Sequence, residues 1–277
     1  HASVASFNNH WGVPLTLARM PADADYGVFE IGMNHPGEIA ELSYLLQPKI
    51  GILTDICNAH RESFNSLEEI AREKMKLAER IPGSGTVILD RDSEWYALIR
   101  QHTCANVTTI SLEGVADYVG RKVGRGVLDV NGHNYIMPQP GEHMMRNALR
   151  AIALGLELGM APEEVAEGLR RFKAPPMRWQ ESEIGGVQFI NDAYNANPLS
   201  MRASLRTFAQ LTGTGKKWVV VGGMRELGAG GYEPGRRDVL LPVSAPKTST
   251  RLALMLKPSH PQSLLMHLHF SAAIGAD

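Results

Sequence analysis

Phe29-Glu30-Ile31-Gly32-Met33-Asn34-His35-Pro36-Gly37-Glu38-Ile39 is the stretch on which the reading of the fold turns. The apolar run over residues 26–31 predicts a buried strand, and it ends in an acid, a glycine and a polar turn. In open α/β sheets, ligands bind just beyond the carboxyl ends of strands, so Glu30 stands where a carboxylate can hold a metal or a nucleotide. The plain alternative is that Glu30 only serves the turn before a helix over residues 38–46, as acids at strand ends often do. Its neighbours decide between the two.

Outward from that stretch, apolar β-branched runs alternate with helical patterns, which is the signature of a parallel sheet covered by helices. Further strands are predicted over residues 49–56, 85–89 and 107–111, and helices over 37–46, 66–80 and 93–100. Ser66 with Glu69 three residues on reads as a capping box. Residues 118–137 change to short alternating strands with a hairpin signal at Asn131-Gly132. Helices over 142–158 and 162–172 follow, the second with Pro162 in its first turn. Ala174-Pro175-Pro176 then breaks the helical period and predicts a domain boundary. A second strand–helix–strand unit is expected over 187–190, 198–211 and 218–221. The expected class is α/β, a mostly parallel sheet flanked by helices, with domains at 1–176 and 177–239.

Composition narrows the function. The chain has 277 residues, 44% hydrophobic and 21% charged, with a formal net charge of -1. That balance gives no electrostatic case for nucleic acid or an anionic membrane as partner. Cys57 and Cys104 are its only cysteines, too few for a disulfide framework or a thiolate zinc site. With no apolar run of membrane-spanning length and no signal-peptide pattern, a cytoplasmic protein is expected. The absence of an initiator methionine reads as a fragment. Residues 240–276 contain no Asp or Glu, and 240–277 reads as a tail of separate character, such as a shifted reading frame. The alternative there is a genuine helix near residues 252–256.

Thr54-Asp55-Ile56-Cys57-Asn58-Ala59-His60 lies at the end of the next predicted strand. Adjacent parallel strands deliver their ends to one crevice, so Glu30 and His60 are candidates to share a cation. Lys74, in Ala71-Arg72-Glu73-Lys74-Met75-Lys76, reads by spacing alone as part of a solvated helix face. An ammonium cannot ligate Mg2+, which takes oxygen donors; only a carbamate on Lys74 would supply them. Gly141-Glu142-His143 with Asn147 opens a helix, and Met177-Arg178-Trp179-Gln180 follows the boundary. Asn191-Asp192-Ala193-Tyr194-Asn195-Ala196-Asn197-Pro198-Leu199-Ser200-Met201 then runs from strand through polar turn to helix. Its acid and amides suit a ribose or an adenine edge, although each residue alone is ordinary turn chemistry.

Ser6-Phe7-Asn8-Asn9 with Gly12-Val13-Pro14-Leu15-Thr16, the Glu30–Ile39 stretch, Asp192-Ala193-Tyr194-Asn195-Ala196-Asn197-Pro198 and Gly222-Gly223-Met224-Arg225-Glu226-Leu227-Gly228 together resemble the Mur ligase family, and within it the MurF type. The resemblance covers about residues 3 to 239. It implies a substrate-nucleotide domain, a central ATPase domain and a Rossmann-like C-terminal domain. It also implies ATP-dependent addition of D-alanyl-D-alanine to UDP-N-acetylmuramoyl-tripeptide through an acyl phosphate, with ATP and Mg2+ as cofactors. Such an enzyme works in peptidoglycan synthesis as a monomer, with no nucleic acid and no membrane insertion. By position, the resemblance implies that Glu30 and His60 hold Mg2+ and that Lys74, if carbamylated, helps hold a second; Lys74 and His60 are the expected catalytic residues. Asn147 and Asn195 are implied near the adenine, and Arg178 and Asp192 at the phosphates and ribose. Asn8, Asn9 and Thr16 border the substrate.

One departure matters. The family's phosphate-binding Gly-x-Gly-Lys-Thr loop is not in this sequence. Thr212-Gly213-Thr214-Gly215-Lys216-Lys217 precedes a predicted strand instead of following one into a helix, so it does not qualify. The alternative to a ligase core is therefore a catalytically inactive truncated product with at most weak nucleotide binding. A related ligase with another amino-acid partner is a weaker reading, against which Tyr194-Asn195-Ala196-Asn197-Pro198 argues.

Overall fold

The computed structural model describes residues 1–4, 7–57, 63–212, 215–221, 239–243 and 251–256. The chain divides into two compact units, His1–Phe172 and Lys173–Asp277.

The first unit carries α1 (Gly12–Ala18), α2 (Glu38–Leu46), β1 (Ile50–Ile52), α3 (Leu67–Arg80), β2 (Thr86–Asp90), α4 (Tyr96–Gln101) and β3 (Asn106–Ser111). It continues with β4 (Tyr118–Gly124), β5 (Val127–Val130), β6 (His133–Ile136), α5 (Glu142–Glu157) and α6 (Pro162–Arg171). The six strands form one sheet in the order β1-β2-β3-β4-β5-β6. β1 to β4 run parallel, and β4, β5 and β6 pair antiparallel. Alternate side chains of β2 point to opposite faces, as a pleated strand requires. Ile88 joins the core formed with Ile110, Leu149 and Ile152 of α5. Val87 and Leu89 join Met75 and Ala78 of α3 and Ile99 of α4 on the other face. Burial on both faces explains why β2 is an unbroken apolar run. Asn131 and Gly132, both at positive φ, make the β5–β6 turn that the Asn-Gly pair predicts.

Residues 26–31 are a correction. They form no sheet strand: Tyr26 and Val28 are 59% and 58% exposed, and a single parallel bridge joins Ala2 to Val28. A strand needs a ladder partner along its length. Here residues 1–3 supply the Ser3 N–H to Val28 oxygen and Val28 N–H to His1 oxygen backbone bonds, flanked by the His1 amino group on the Tyr26 oxygen and the Glu30 N–H on the Ser3 hydroxyl, too few for a ladder along the run. Burial begins at Met33 and Ile39, which pack with Phe64 and Ile70. The Glu38 carboxylate, not Glu30, serves the turn, accepting the Asn34 and His35 N–H groups. Burial works to raise its pKa, but those two N–H bonds hold it below the usual carboxylate range. Buried Glu73 of α3 accepts the Ile39 N–H, satisfying an orphan donor in the first turn of α2.

Two local expectations shift. The strand over 49–56 shortens to β1, and after the Leu53 N–H to Ile88 oxygen bond residues 54–57 leave the parallel ladder. Ser66 caps α3 by accepting the Glu69 N–H, while Glu69 accepts the Asn65 N–H, one residue before the N-cap whose N–H a capping box would use.

The second unit carries β7 (Gln180–Ile184), β8 (Val187–Asn191), α7 (Pro198–Gln210), β9 (Lys217–Val221), β10 (Val239–Val243) and β11 (Arg251–Leu256), with sheet order β10-β9-β11-β8-β7. β7 is an exposed edge strand that sequence reading missed; it pairs with β8 around Gly185-Gly186, both at positive φ. Residues 251–256 are a strand, not a helix, and pair in parallel with both β8 and β9. Residues 239–243 and 251–256 therefore belong to the second sheet. Among the described residues, no helix is long and apolar enough to cross a membrane.

Gly85 precedes β2 where a Cβ would stand 2.4 Å from the Lys49 carbonyl oxygen, the group that accepts the Thr86 N–H. Gly85→Ala should destabilise the chain by about 1–3 kcal/mol through this overpacking. A denaturant midpoint equal to that of the unsubstituted chain would mean that β1 is not seated beside β2 in this way.

Candidate functional site

The carboxyl edge of the parallel sheet gathers charge. Asp90 ends β2, Asp92 follows it, and Asp55 lies just past β1. Arg146 and Arg150 are one turn apart on α5, so both reach the same edge. Arg146 donates from Nη1 to Asp90 (2.9 Å) and Asp92 (3.0 Å), and from Nη2 to Glu113 (3.0 Å) and Glu142 (3.2 Å). Buried Arg150 donates from Nη2 to Asp55 Oδ1 at 2.7 Å and, more weakly, to Asp90 at 3.4 Å. Its Nη1 donates to the Asn147 side-chain oxygen at 2.9 Å. Removing a partner from such a buried network leaves an uncompensated charge, at a cost on the order of 3–5 kcal/mol.

Lys74 joins the same array. Its Nζ donates to the Asp55 carbonyl oxygen at 2.6 Å. Burial of the amine pushes its pKa down, and nearby Arg150 adds to this, against the opposing pull of Cys57 and Asp55. Cys57 is half-buried, and burial pushes its thiol pKa up. Lys74, Asp55, Arg150 and Asn147 are thus one connected polar chain. Lys74 and Asn147 were expected from sequence; Asp55 as a carboxylate partner, Asp90, Asp92, Arg146 and Arg150 were missed. The available signal was an acid at the end of the apolar run Thr86–Asp90 together with two arginines four residues apart.

Glu30 stands in a second array. Its Oε1 accepts from Asn8 Nδ2 at 2.8 Å, and its N–H donates to the Ser3 hydroxyl. Asn9 caps α1, its side-chain oxygen accepting the Trp11 and Gly12 N–H groups. The Thr16 hydroxyl is buried inside α1 and donates to the Gly12 oxygen at 2.8 Å. His60 lies outside the described residues, as does the Gly222–Gly228 motif. Among the described residues, no group of three or more His, Cys, Asp and Glu side chains is arranged to hold a metal ion. The exposed Glu30 carboxylate nevertheless fits Mg2+, which is commonly held by one or two carboxylates plus waters and substrate phosphates.

In the second unit, Asp192 accepts the Trp179 N–H at 3.1 Å and the Ser204 hydroxyl. The Arg178 guanidinium sits 4.5 Å from the centre of the Tyr194 ring, a cation–π distance. Met177 and Trp179, on either side of Arg178, are both at positive φ, and backbone in that region concentrates at functional sites. The Asn195 side-chain oxygen accepts the Ala196 N–H, and Asn197 caps α7. Lys217 is buried and donates to the carbonyls of Phe208, Ala209 and Leu211 at the end of α7. A lysine so engaged caps a helix and does not cradle phosphate.

These positions can be set beside known proteins. A family model described as the Mur ligase middle domain matches residues 1–155, and one described as the Mur ligase glutamate ligase domain matches residues 177–252. The chain belongs to the Mur ligase family. The second match runs past residue 239, where the resemblance was expected to end, and takes in the first residues of β11. This Mur ligase chain is 34% identical over 235 residues to the UDP-N-acetylmuramoyl-tripeptide–D-alanyl-D-alanine ligase of Bacillus subtilis (strain 168), covering 82% of the chain and 51% of that relative. It spans about half the length of the curated relatives it matches. Its fold is like that of MurF from Acinetobacter baumannii, with a TM-score of 0.84 at 23% identity over 96% of this chain and 70% of that one. It is also like MurF ligase from Thermotoga maritima in complex with ADP, with a TM-score of 0.77 at 18% identity over 93% and 70%.

Burial works to raise the Asp92 pKa, but the Ser111 hydroxyl, the Leu112 N–H and Arg146 together hold it below the usual carboxylate range. A depressed folded-state pKa gives stability that is present above the unfolded value near pH 4 and lost as pH falls through the folded one. Asp92→Asn should therefore lose less stability than the native sequence between about pH 5 and pH 2. Equal acid sensitivity in urea titrations would remove Asp92 from the acid-labile set.

Proposed function

We propose that this chain is the central and C-terminal ligase core of a monomeric cytoplasmic enzyme of peptidoglycan biosynthesis. The enzyme consumes ATP to join D-alanyl-D-alanine to UDP-N-acetylmuramoyl-tripeptide. The observation that carries the reading is the connected Lys74–Asp55–Arg150–Asn147 array at the carboxyl edge of the parallel sheet. That edge is where α/β folds bind ligands. The identity to the Bacillus subtilis ligase supports the choice of substrates.

In the proposed reaction, a carboxylate oxygen of the tripeptide attacks the γ-phosphorus of ATP, releasing ADP and leaving an acyl phosphate. The amine of D-alanyl-D-alanine then attacks the acyl carbon: the C–N bond forms, the acyl C–O bond breaks, inorganic phosphate leaves with that oxygen and its electron pair, and the amine nitrogen gives up a proton to solvent. Positioning and charge neutralisation supply most of the rate in such transfers. Asn147 and Asn195 are assigned to the adenine, Arg178 and Asp192 to phosphates and ribose, and Asn8, Asn9 and Thr16 to the border of the nucleotide-sugar substrate. Of the last three, Asn8 also orients Glu30, while Asn9 and Thr16 act through the geometry of α1.

Glu30 and His60 are assigned to Mg2+, which when bound would neutralise charge on the phosphates. Lys74 is assigned as a carbamate. Its depressed pKa favours the neutral amine, the form that adds CO2 and then releases a proton, which turns an ammonium into a group with two oxygen donors.

The test uses the full-length protein that carries this chain. Phosphate release from ATP should require both the tripeptide nucleotide and D-alanyl-D-alanine; release that ignores the dipeptide would reject the assignment. Glu30→Ala should abolish Mg2+-dependent turnover, and near-normal rates would remove Glu30 from the metal site.

A further inference from the structure

We infer that Arg150 is a positioning residue of the reaction, fixing the Lys74 amino group relative to Asn147 through the Asp55 segment. This rests on the function proposed above.

The chain of contacts is mechanical. The last bond from this segment to β2 is the Leu53 N–H to the Ile88 oxygen, so sheet pairing stops two residues short of Asp55. The Arg150 fork holds it instead, gripping Oδ1 at 2.7 Å. The same Nη2 reaches Asp90 at the end of β2, and Nη1 holds Asn147. Arg150 thereby ties the Asp55 side chain to β2 and α5 at a point that the sheet ladder does not reach. Lys74 donates to the carbonyl of that same Asp55, so its position follows the grip.

Stability alone does not account for the residue. Burying a guanidinium is costly, and Arg150 Nε is buried with no hydrogen-bond partner among the described residues. An arginine kept only to fill space would be better replaced by an apolar side chain. Its fork geometry, with two separate nitrogens serving two different segments, is what an apolar residue cannot supply.

The experiment compares the native full-length enzyme with Asp55→Asn, Arg150→Lys, Arg150→Ala and the double variant Asp55→Asn/Arg150→Ala. Two readouts are taken: kcat with KM for ATP, and, on enzyme freed of bicarbonate so that Lys74 carries a free amine, the rate at which an amine-reactive anhydride acylates Lys74 relative to exposed Lys216, read by peptide mass spectrometry. Asp55→Asn and Arg150→Ala should each lower kcat by roughly tenfold or more. The double variant should be no slower than the worse single one, because Asp55→Asn, which removes the charge but keeps an acceptor oxygen, and Arg150→Ala both act on the same linkage. Lys74 acylation should rise severalfold in the same variants while hydrogen exchange of β2 stays unchanged, and Arg150→Lys should restore part of both.

Native kcat and native Lys74 acylation in Asp55→Asn would overturn the inference, as would losses that multiply in the double variant. Asp55 is half exposed on its side chain, so Asp55→Asn decides the matter even if Arg150→Ala does not fold. If the native enzyme releases no phosphate in response to D-alanyl-D-alanine, the proposed function fails. Lys74 acylation then still decides whether Arg150 fixes Lys74.

Discussion

The grip of two α5 arginines on the acids at the end of β2 and just past β1 is the interaction on which the site depends. Parallel strands bring Asp55, Asp90 and Asp92 to one edge of the sheet, where unpaired carboxylates would repel and would lose their water. Arg146 and Arg150 resolve that conflict from a single helix face. The hydrophobic packing of Leu149 and Ile152 beneath them fixes the helix that carries them. Core packing and site electrostatics are therefore consequences of the same helix placement.

Much of the fold was legible because its signals are local. Asn131-Gly132 gives a hairpin turn from two residues, Ser66 caps α3 within one turn, and the apolar run over β2 declares burial on both faces. The failures share one cause, dependence on distant partners. Residues 26–31 have strand composition, but a strand exists only where another chain segment lies beside it. Arg251-Leu252-Ala253-Leu254-Met255-Leu256 is made largely of good helix formers, yet pairing with β8 and β9 makes it a strand. Local preference loses to the ladder.

The site divides the same way. Glu30, Lys74, Asn147 and Asp192 are candidates that motif resemblance singles out, whereas the Asp55–Arg150 pair joins residues 95 positions apart and has no local signature. The strand-end position of Asp192 suits a ribose or an adenine edge, and the resemblance assigns it, with Arg178, to phosphates and ribose. It also joins the Trp179 backbone to Ser204 of α7, a structural duty that shares the same carboxylate. Lys217, which ends the segment rejected as a phosphate loop, supplies a helix cap.

In the proposed reaction ATP activates a peptide carboxylate through an acyl phosphate. The most direct measurement uses tripeptide nucleotide labelled with oxygen-18 in its terminal carboxylate, turned over by the full-length enzyme with ATP and D-alanyl-D-alanine. The account predicts one labelled oxygen in each inorganic phosphate released, alongside ADP. Unlabelled phosphate, or label recovered in AMP, would contradict it.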